Sequence, residues 1–293
     1  LSLGPLRAAL RSGVTCAMSL NDDYLLAYKP VDCALTPRRA AGWLLDHSLF
    51  RRTTWAGIKF PPVTAISLSL LQKLKTEGVP FKYTNVIYQG VDAGDFSAKS
   101  RPGLLHKPLR LLYAGQLHEY KGVHTAVEAL SLLVRKGRDA VLDVVGTGET
   151  AYVKNLESLA SAPDIAGRVK FRGRVPRREL AEIYRSSDIM LFTSIWDEPF
   201  GLTNLEAMAS GTSLVSTTCG GPGEFLKDGI NALTFAAGNA ASLASSIERL
   251  MDDPALCRSI AREGLRTVHE DFSMQRYARD LEKFLCDVAG GLK

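Results

Sequence analysis

From residue 110 onward, short apolar runs alternate with segments of helical period, and this alternation constrains the fold more than any other feature. RLLYAG (110–115), AVLDVVG (140–146), VKFRG (169–173), DIMLFTS (188–194), TSLVSTT (212–218) and NALTF (231–235) read as strands. Between them, 122–136, 150–161, 177–186 and 202–211 read as helices; the first carries Val123, Val127, Leu130 and Leu133 on one stripe. A strand returns parallel to its predecessor only through a crossover, and a helix supplies one. The pattern therefore predicts βαβ units, that is, an α/β fold with a doubly wound parallel sheet. Ligands of such sheets bind beyond the carboxyl ends of the strands. The loops expected there are AGQLHEYKG, GTGE, RGRV, EPFG and CGGPGE, each containing glycine.

The first hundred or so residues are less regular. GVTCAMSL (13–20) and PVTAISLSL (62–70) read as strands or as a strand running into a helix, and NVIYQGVD (85–92) as a strand leading into a turn. SAKSRPGLLHKP (97–108) has linker composition and is taken as a domain boundary; 293 residues accommodate two domains at about 150 each. Residues 1–108 are too few for a full domain of the kind expected in 109–273. Helices near 239–252, 254–269 and 274–287 close the chain, the last within a separate segment, 274–293. The sequence begins at Leu1, and Arg7 and Arg11 interrupt any signal-peptide core, so a trimmed chain without a signal peptide is expected.

Hydrophobic residues at 46% and charged residues at 23% exclude a disordered or collagen-like chain, and no apolar run is long enough to span a membrane. The five cysteines and five histidines show no zinc spacing, so reduced thiols and no metal site are expected. Charge is uneven: residues 1–108 hold 14 Lys/Arg against 7 Asp/Glu, and the remainder 22 against 24. Such a region, with Arg38, Arg39, Arg51, Arg52 and Lys59, suits an anionic lipid surface or phosphorylated substrate, or is simply a solvated face. Nucleic acid is not expected, because no basic stripe is interleaved with aromatics.

Three loops carry candidate chemistry. In DEPFGLTNLEAMASG (197–211), Glu198 follows a strand, and Glu206 comes eight residues later in the early part of a helix. The helix start, from about Leu202 to Asn204, offers unpaired N–H groups that attract an anion, a diphosphate above all. Carboxylates there would repel phosphate and are expected to accept from ribose or sugar hydroxyls instead. The plain alternative is that Glu206 only favours the helix start. In AGQLHEYKG (114–122), Lys121 either reaches a phosphate as a point charge or sits solvated at a helix start. GTGETA (146–151) fits the GxGxxA dinucleotide fingerprint. The next strand, however, ends in Phe171-Arg172-Gly173 without the acid that the fingerprint wants, so a strand-to-helix turn is the better reading. The absence of GxSxG, GxxxxGKS/T and HExxH argues against an α/β hydrolase, a P-loop NTPase and a zincin.

Taken together, PVTAISLSLL, NVIYQGVDAGDF, YAGQLHEYKG, VVGTGE, VKFRGRVPRREL, YRSSDIMLFTS, EPFGLTNLEAMASG, GGPGEFLKDGINALTF and FSMQRYARDLEKFL resemble the retaining family-4 glycosyltransferases (glycosyl transferases group 1), of GT-B fold. The resemblance covers most of the chain and is densest in 110–236. It implies two Rossmann-like domains, the C-terminal one binding a UDP-, GDP- or ADP-linked sugar as co-substrate, without cofactor or metal. It implies that Glu206 binds the donor ribose, Glu198 contacts hydroxyls of the transferred sugar, and Lys121 binds the diphosphate, Glu198 and Lys121 being the catalytic pair. Gly115, Gln116 and Gly146 would border the donor, backbone N–H groups around Phe200, Gly201, Leu202 and Thr203 would hold sugar and phosphate, and Arg174 and Val175 would meet the base.

Two departures stand out. The family usually has Arg where this chain has Gln116, which removes one charged phosphate contact. The strand SLNDDYLLAY (19–28) carries Asn21, Asp22 and Asp23 where the family often has a His beside the reacting sugar; these three are acceptor-side candidates, or a turn. The family's first N-terminal βαβ is expected to precede Leu1, leaving the acceptor domain incomplete. The implied activity is sugar transfer with retention to an unidentified glycan, lipid or small-molecule acceptor. The alternatives are a truncated or degenerate protein that binds a nucleotide sugar without efficient turnover, and a nucleotide-sugar epimerase. A cytoplasmic location is expected, compatible with peripheral contact with an anionic membrane. In FSMQRYARDLEKFLCDV (272–288), Tyr277, Leu281, Phe284 and Leu285 read as an apolar face, and in the family resembled such a helix returns to the N-terminal domain.

Overall fold

The computed structural model describes residues 8, 12, 15–22, 59–96 and 105–291. The chain divides into two compact units, one within residues 1–88 and 277–293, the other Gln89–Arg276. In the first, β1 (Met18–Leu20), β2 (Val63–Ala65) and β3 (Thr84–Val86) form a parallel sheet in that order. Helix α1 (Leu68–Thr76) links β2 to β3. Ser67 starts it by accepting the Leu70 N–H at 3.0 Å, and Leu70, Leu71 and Leu74 are its buried face. PVTAISLSL is thus a strand running into a helix.

The second unit holds a six-stranded sheet of β4 (Leu109–Ala114), β5 (Ala140–Val145), β6 (Val169–Gly173), β7 (Ile189–Phe192), β8 (Ser213–Ser216) and β9 (Leu233–Thr234). The order is β6-β5-β4-β7-β8-β9, and every pair is parallel. Crossovers are made by α2 (Val123–Arg135), α3 (Thr150–Ala160), α4 (Arg177–Ser186) and α5 (Leu202–Ala209). Helices α6 (Ala240–Asp252) and α7 (Pro254–Asp271) follow β9. Strands β4 and β7 are nearly continuous apolar runs because helices cover both faces of the sheet. Ala126, Val127, Leu130 and Leu133 of α2 share one core with Leu243, Ile247 and Leu250 of α6.

This order winds β5 and β6 onto one side of β4, and β7, β8 and β9 onto the other. The winding reverses between β4 and β7, and the crevice beyond their carboxyl ends is where such a sheet accepts a ligand. A buried carboxylate ties the amino ends of these two strands together. Asp188 accepts from the His106 and Arg110 backbone N–H groups at 3.1 and 2.7 Å, and its other oxygen lies 2.6 Å from His106 Nδ1. Three donors on one buried carboxylate set where β4 and β7 begin, and hence where their loops emerge.

The strand expected over 231–235 shortens to β9, since the Asn231 side chain is bonded into a turn through the Lys227 N–H (2.7 Å) and the Phe225 carbonyl (2.9 Å). The C-terminal helix α8 (Met274–Ala289) buries Phe284 and Val288 against Ile87, with Ala17, Tyr277 and Leu281 packed around them. Leu285, expected on this face, is 48% exposed, and Val288 takes its place. The stripe runs 277, 281, 284, 288, and residue 285 lies about 70° from its centre. Among the described residues, no helix is long and apolar enough to cross a membrane, and no group of three His, Cys, Asp or Glu is arranged to hold a metal ion.

Candidate functional site

The loop after β4 is shaped by its own backbone. The buried Tyr113 hydroxyl donates to the Gln116 carbonyl at 2.8 Å, and burial together with the nearby Glu198 charge pushes this phenol well above its ordinary range. A single 3₁₀ turn, Glu119–Lys121, ends at Gly122, whose φ is 64°. A Cβ at Gly122 would lie 2.2 Å from the Thr193 carbonyl oxygen, so only glycine allows the loops after β4 and β7 to touch here. Thr193 Oγ1 donates to the Lys121 carbonyl (2.8 Å), and the Ile195 N–H to that of Tyr120 (3.0 Å).

These contacts aim Lys121 at Glu198. Lys121 Nζ lies 2.5 Å from Glu198 Oε1, and Ser194 Oγ donates to the same oxygen at 2.6 Å. Glu198 is 6% exposed, deep for a carboxylate, and is tolerable there because a cation and a hydroxyl both meet it. The Glu198 N–H donates to the Cys219 carbonyl at 3.3 Å, and the Gly221 N–H to the Glu198 carbonyl at 2.7 Å. Loops after β4, β7 and β8 therefore fix one carboxylate.

Three residues on, Gly201 (φ 84°) turns the chain into α5, and no side chain caps this helix start. Leu202 is exposed, Thr203 half-buried and Asn204 fully buried. The Asn204 Nδ2 group has no hydrogen-bond partner, an arrangement that costs about 1–3 kcal/mol unless a ligand meets it. The Phe200 ring is buried beside Phe225 and Phe272 at centroid distances of 5.6 and 5.9 Å, turned into the protein interior.

Glu206, one turn further, belongs to a separate hydrogen-bonded group. The Tyr184 hydroxyl donates to its Oε2 at 3.2 Å, and Arg177 Nη1 lies 3.4 Å from its Oε1. Burial pushes the Glu206 carboxyl above its ordinary value of 4.5, while Arg177 and Tyr184 draw it back down. Burial, and then the Glu206 charge, push the Tyr184 phenol well up.

Gly115 and Gly146 pack backbone to backbone; a Cβ at Gly146 would come within 1.8 Å of the Gly115 carbonyl oxygen. The Leu117 N–H donates to the Thr147 carbonyl at 2.9 Å, so GTGETA is a turn laced to the loop after β4. The Gln116 side chain is exposed. Arg174, exposed, and Val175, half-buried, follow the edge strand β6, and neither touches the Lys121–Glu198 pair through any hydrogen bond. Asn21 accepts from Ser19 Oγ at 3.2 Å and Asp22 is half-buried, while Asp23 lies outside the described residues. Sequence reasoning missed Ser194, Tyr184 and Arg177, and took Asn204 only for its backbone N–H. Asn204 sits beside Thr203 and Glu206 in α5, so its burial had no local signal, and nothing in linear spacing links Tyr184 or Arg177 to Glu206. A cavity of about 270 Å³ between the 224–231 loop and α7 contains none of these residues.

A lysine, a buried carboxylate and an uncapped helix start gather beyond the switch-point strands of a parallel sheet, and the unit is of the doubly wound α/β class. Residues 96–267, more than half of the chain, match the glycosyl transferases group 1, and the chain belongs to that family. The glycogen synthase of Mycobacterium tuberculosis strain H37Rv is 34% identical over 246 residues, 82% of this chain and 58% of that protein. The D-inositol 3-phosphate glycosyltransferase of Arthrobacter sp. strain FB24 is 34% identical over 68% of this chain and 48% of that protein. The chain thus spans about half the length of the curated relatives it matches. Among solved structures, Anabaena Alr3699/HepE in complex with UDP and glucose superposes with a TM-score of 0.79 at 20% identity, over 97% of this chain and 74% of that one. The shared fold is GT-B.

Proposed function

We propose that this chain carries the donor-binding part of a glycosyltransferase that moves a sugar from a nucleoside diphosphate to a hydroxyl of a glycan, lipid or small-molecule acceptor, with retention at the anomeric carbon. One observation carries the reading: the α5 start is uncapped, holds the unpartnered Asn204 Nδ2 group, and follows within four residues of Glu198, which is paired with Lys121. An uncapped helix start and a lysine suit a diphosphate, and carboxylates suit hydroxyls. Relatives support it: the family is one of glycosyltransferases, and HepE was solved with UDP and glucose.

In this reading Lys121 and the N–H groups of Gly201, Leu202 and Thr203 hold the diphosphate. Glu198 accepts from hydroxyls of the transferred sugar, Glu206 from the ribose, and Arg174 and Val175 border the base. Breaking the bond between the anomeric carbon and the β-phosphate oxygen leaves charge on the departing nucleoside diphosphate. Donors already aimed at that oxygen lower the barrier because they need no reorganisation. Lys121 and the helix start supply the positive potential, so turnover is expected to persist in EDTA. Residues 109–273 form the donor domain in this reading, 1–108 belong to the acceptor side with Asn21, Asp22 and Asp23, and 274–293 return to it.

The test is calorimetry with UDP-, GDP- and ADP-glucose. One of them binds, and Lys121→Met weakens it by about 10-fold or more through loss of a charge-assisted contact. Binding of none of the three, by a folded protein, refutes the proposal.

A further inference from the structure

The segment VDAGDF (91–96), part of a stretch that sequence analysis singled out, has no role in the site as described so far. In the structure it builds the surroundings of Glu206. Phe96, fully buried, meets the Tyr184 ring edge-on at 5.8 Å and 77°. The Arg177 guanidinium lies over the Phe96 ring, 4.8 Å from its centroid, and Asp95 Oδ2 takes Arg177 Nε at 3.0 Å. Arg177 opens α4 and Tyr184 lies two turns later, so the two side chains leave one helix for the same carboxylate.

Each oxygen of Glu206 therefore has one donor, Arg177 on Oε1 and Tyr184 on Oε2. A carboxylate offers about four lone-pair directions, so each oxygen keeps one for a ligand. Two lone pairs held side by side match two neighbouring hydroxyls. We propose that Arg177 and Tyr184, themselves held by Asp95 and Phe96, are positioning residues that fix both oxygens of Glu206 to grip the vicinal 2′,3′-diol of a ribonucleotide and to discriminate against its 2′-deoxy form. The inference rests on the reading that Glu206 meets the ribose. A 2′-deoxy ligand leaves one desolvated carboxylate oxygen unpaired, which is the stronger form of discrimination.

Arg177 and Tyr184 are the titratable groups that act on Glu206, with Asp95 acting on Arg177. Only the ionised carboxylate accepts from both hydroxyls. Ribonucleotide affinity therefore rises with pH through the Glu206 titration. Both neighbours favour the ionised form, so removing either moves that midpoint to higher pH.

The experiment is calorimetry across pH 5–8 with whichever of UDP, GDP and ADP binds the full chain most tightly, and with its 2′-deoxy counterpart. The wild type is expected to prefer the ribonucleotide by about tenfold or more. Tyr184→Phe keeps the buried ring and loses only the hydroxyl; Arg177→Gln removes the charge. Each is expected to weaken ribonucleotide binding several-fold, to leave the deoxy form within about twofold, and to raise the pH midpoint. Arg177→Lys, which keeps the charge, is expected to restore the midpoint towards that of the wild type. Equal weakening of both nucleotides, or an unmoved midpoint, means a merely structural role and overturns the inference. A wild type that binds ribo- and deoxynucleotide equally overturns it too, while leaving the diphosphate reading intact. Binding of no nucleotide refutes the function proposed above and this inference with it.

Discussion

Replacing Lys121 by methionine keeps the length of the aliphatic stem and removes only the charge that faces Glu198. Unit charges 2.5 Å apart attract by about 6–7 kcal/mol at an effective dielectric constant of about 20. Desolvating the two ions offsets much of this, and breaking a buried pair from one side typically costs about 3–5 kcal/mol. Two features reduce the figure here. The Lys121 side chain is 21% exposed, so water reaches the gap, and Ser194 still donates to the stranded carboxylate. A loss of about 2–3 kcal/mol in urea unfolding is the expected outcome. Glu198→Gln supplies the other single change, and Lys121→Met with Glu198→Gln closes a double-mutant cycle. A coupling energy of about 1.5–3 kcal/mol is expected, because the double variant leaves no buried charge unpaired. Coupling below about 0.5 kcal/mol would show that the two side chains do not hold one another, and the account of a preformed site would fail.

Two further outcomes follow from the same loops. Gly122→Ala places a side chain at φ 64° and 2.2 Å from the Thr193 carbonyl, so the loops after β4 and β7 must part. A loss of about 2 kcal/mol or more is expected, read as a drop in Tm of about 4 °C or more; a change under about 1 °C would sink the claim that these loops meet at that glycine. Asn204→Leu removes a buried donor that has no partner. The ligand-free protein is expected to be as stable or up to about 2 kcal/mol more stable, with the rise in Tm on adding nucleotide abolished. Destabilisation with the nucleotide shift preserved would show that the amide serves the fold and not a ligand.

The sheet was legible because strand burial on both faces leaves a local trace. RLLYAG, AVLDVVG and DIMLFTS are largely apolar runs, and each became a strand of the second unit. The expectation failed where a side chain competed with the ladder, as Asn231 does ahead of β9, and where neighbouring helix positions were merged into one face, as with Leu285. The pairing of Lys121 with Glu198 joins residues 77 apart, and no local pattern encodes that distance.

Amino-acid order alone determined which segments become strands and helices, that they wind into a parallel sheet, and that polar chemistry gathers in loops after the strands. These follow from hydrophobic period and glycine placement, which are properties of neighbouring residues. Tertiary structure decided which charges meet. It brought a lysine from the loop after β4 onto a serine and a glutamate in the loop after β7, and set an arginine and a tyrosine from one helix against a glutamate on another. Hydrogen bonds and ion pairs act over a few ångströms of space, so only the packed sheet with its switch point specifies them.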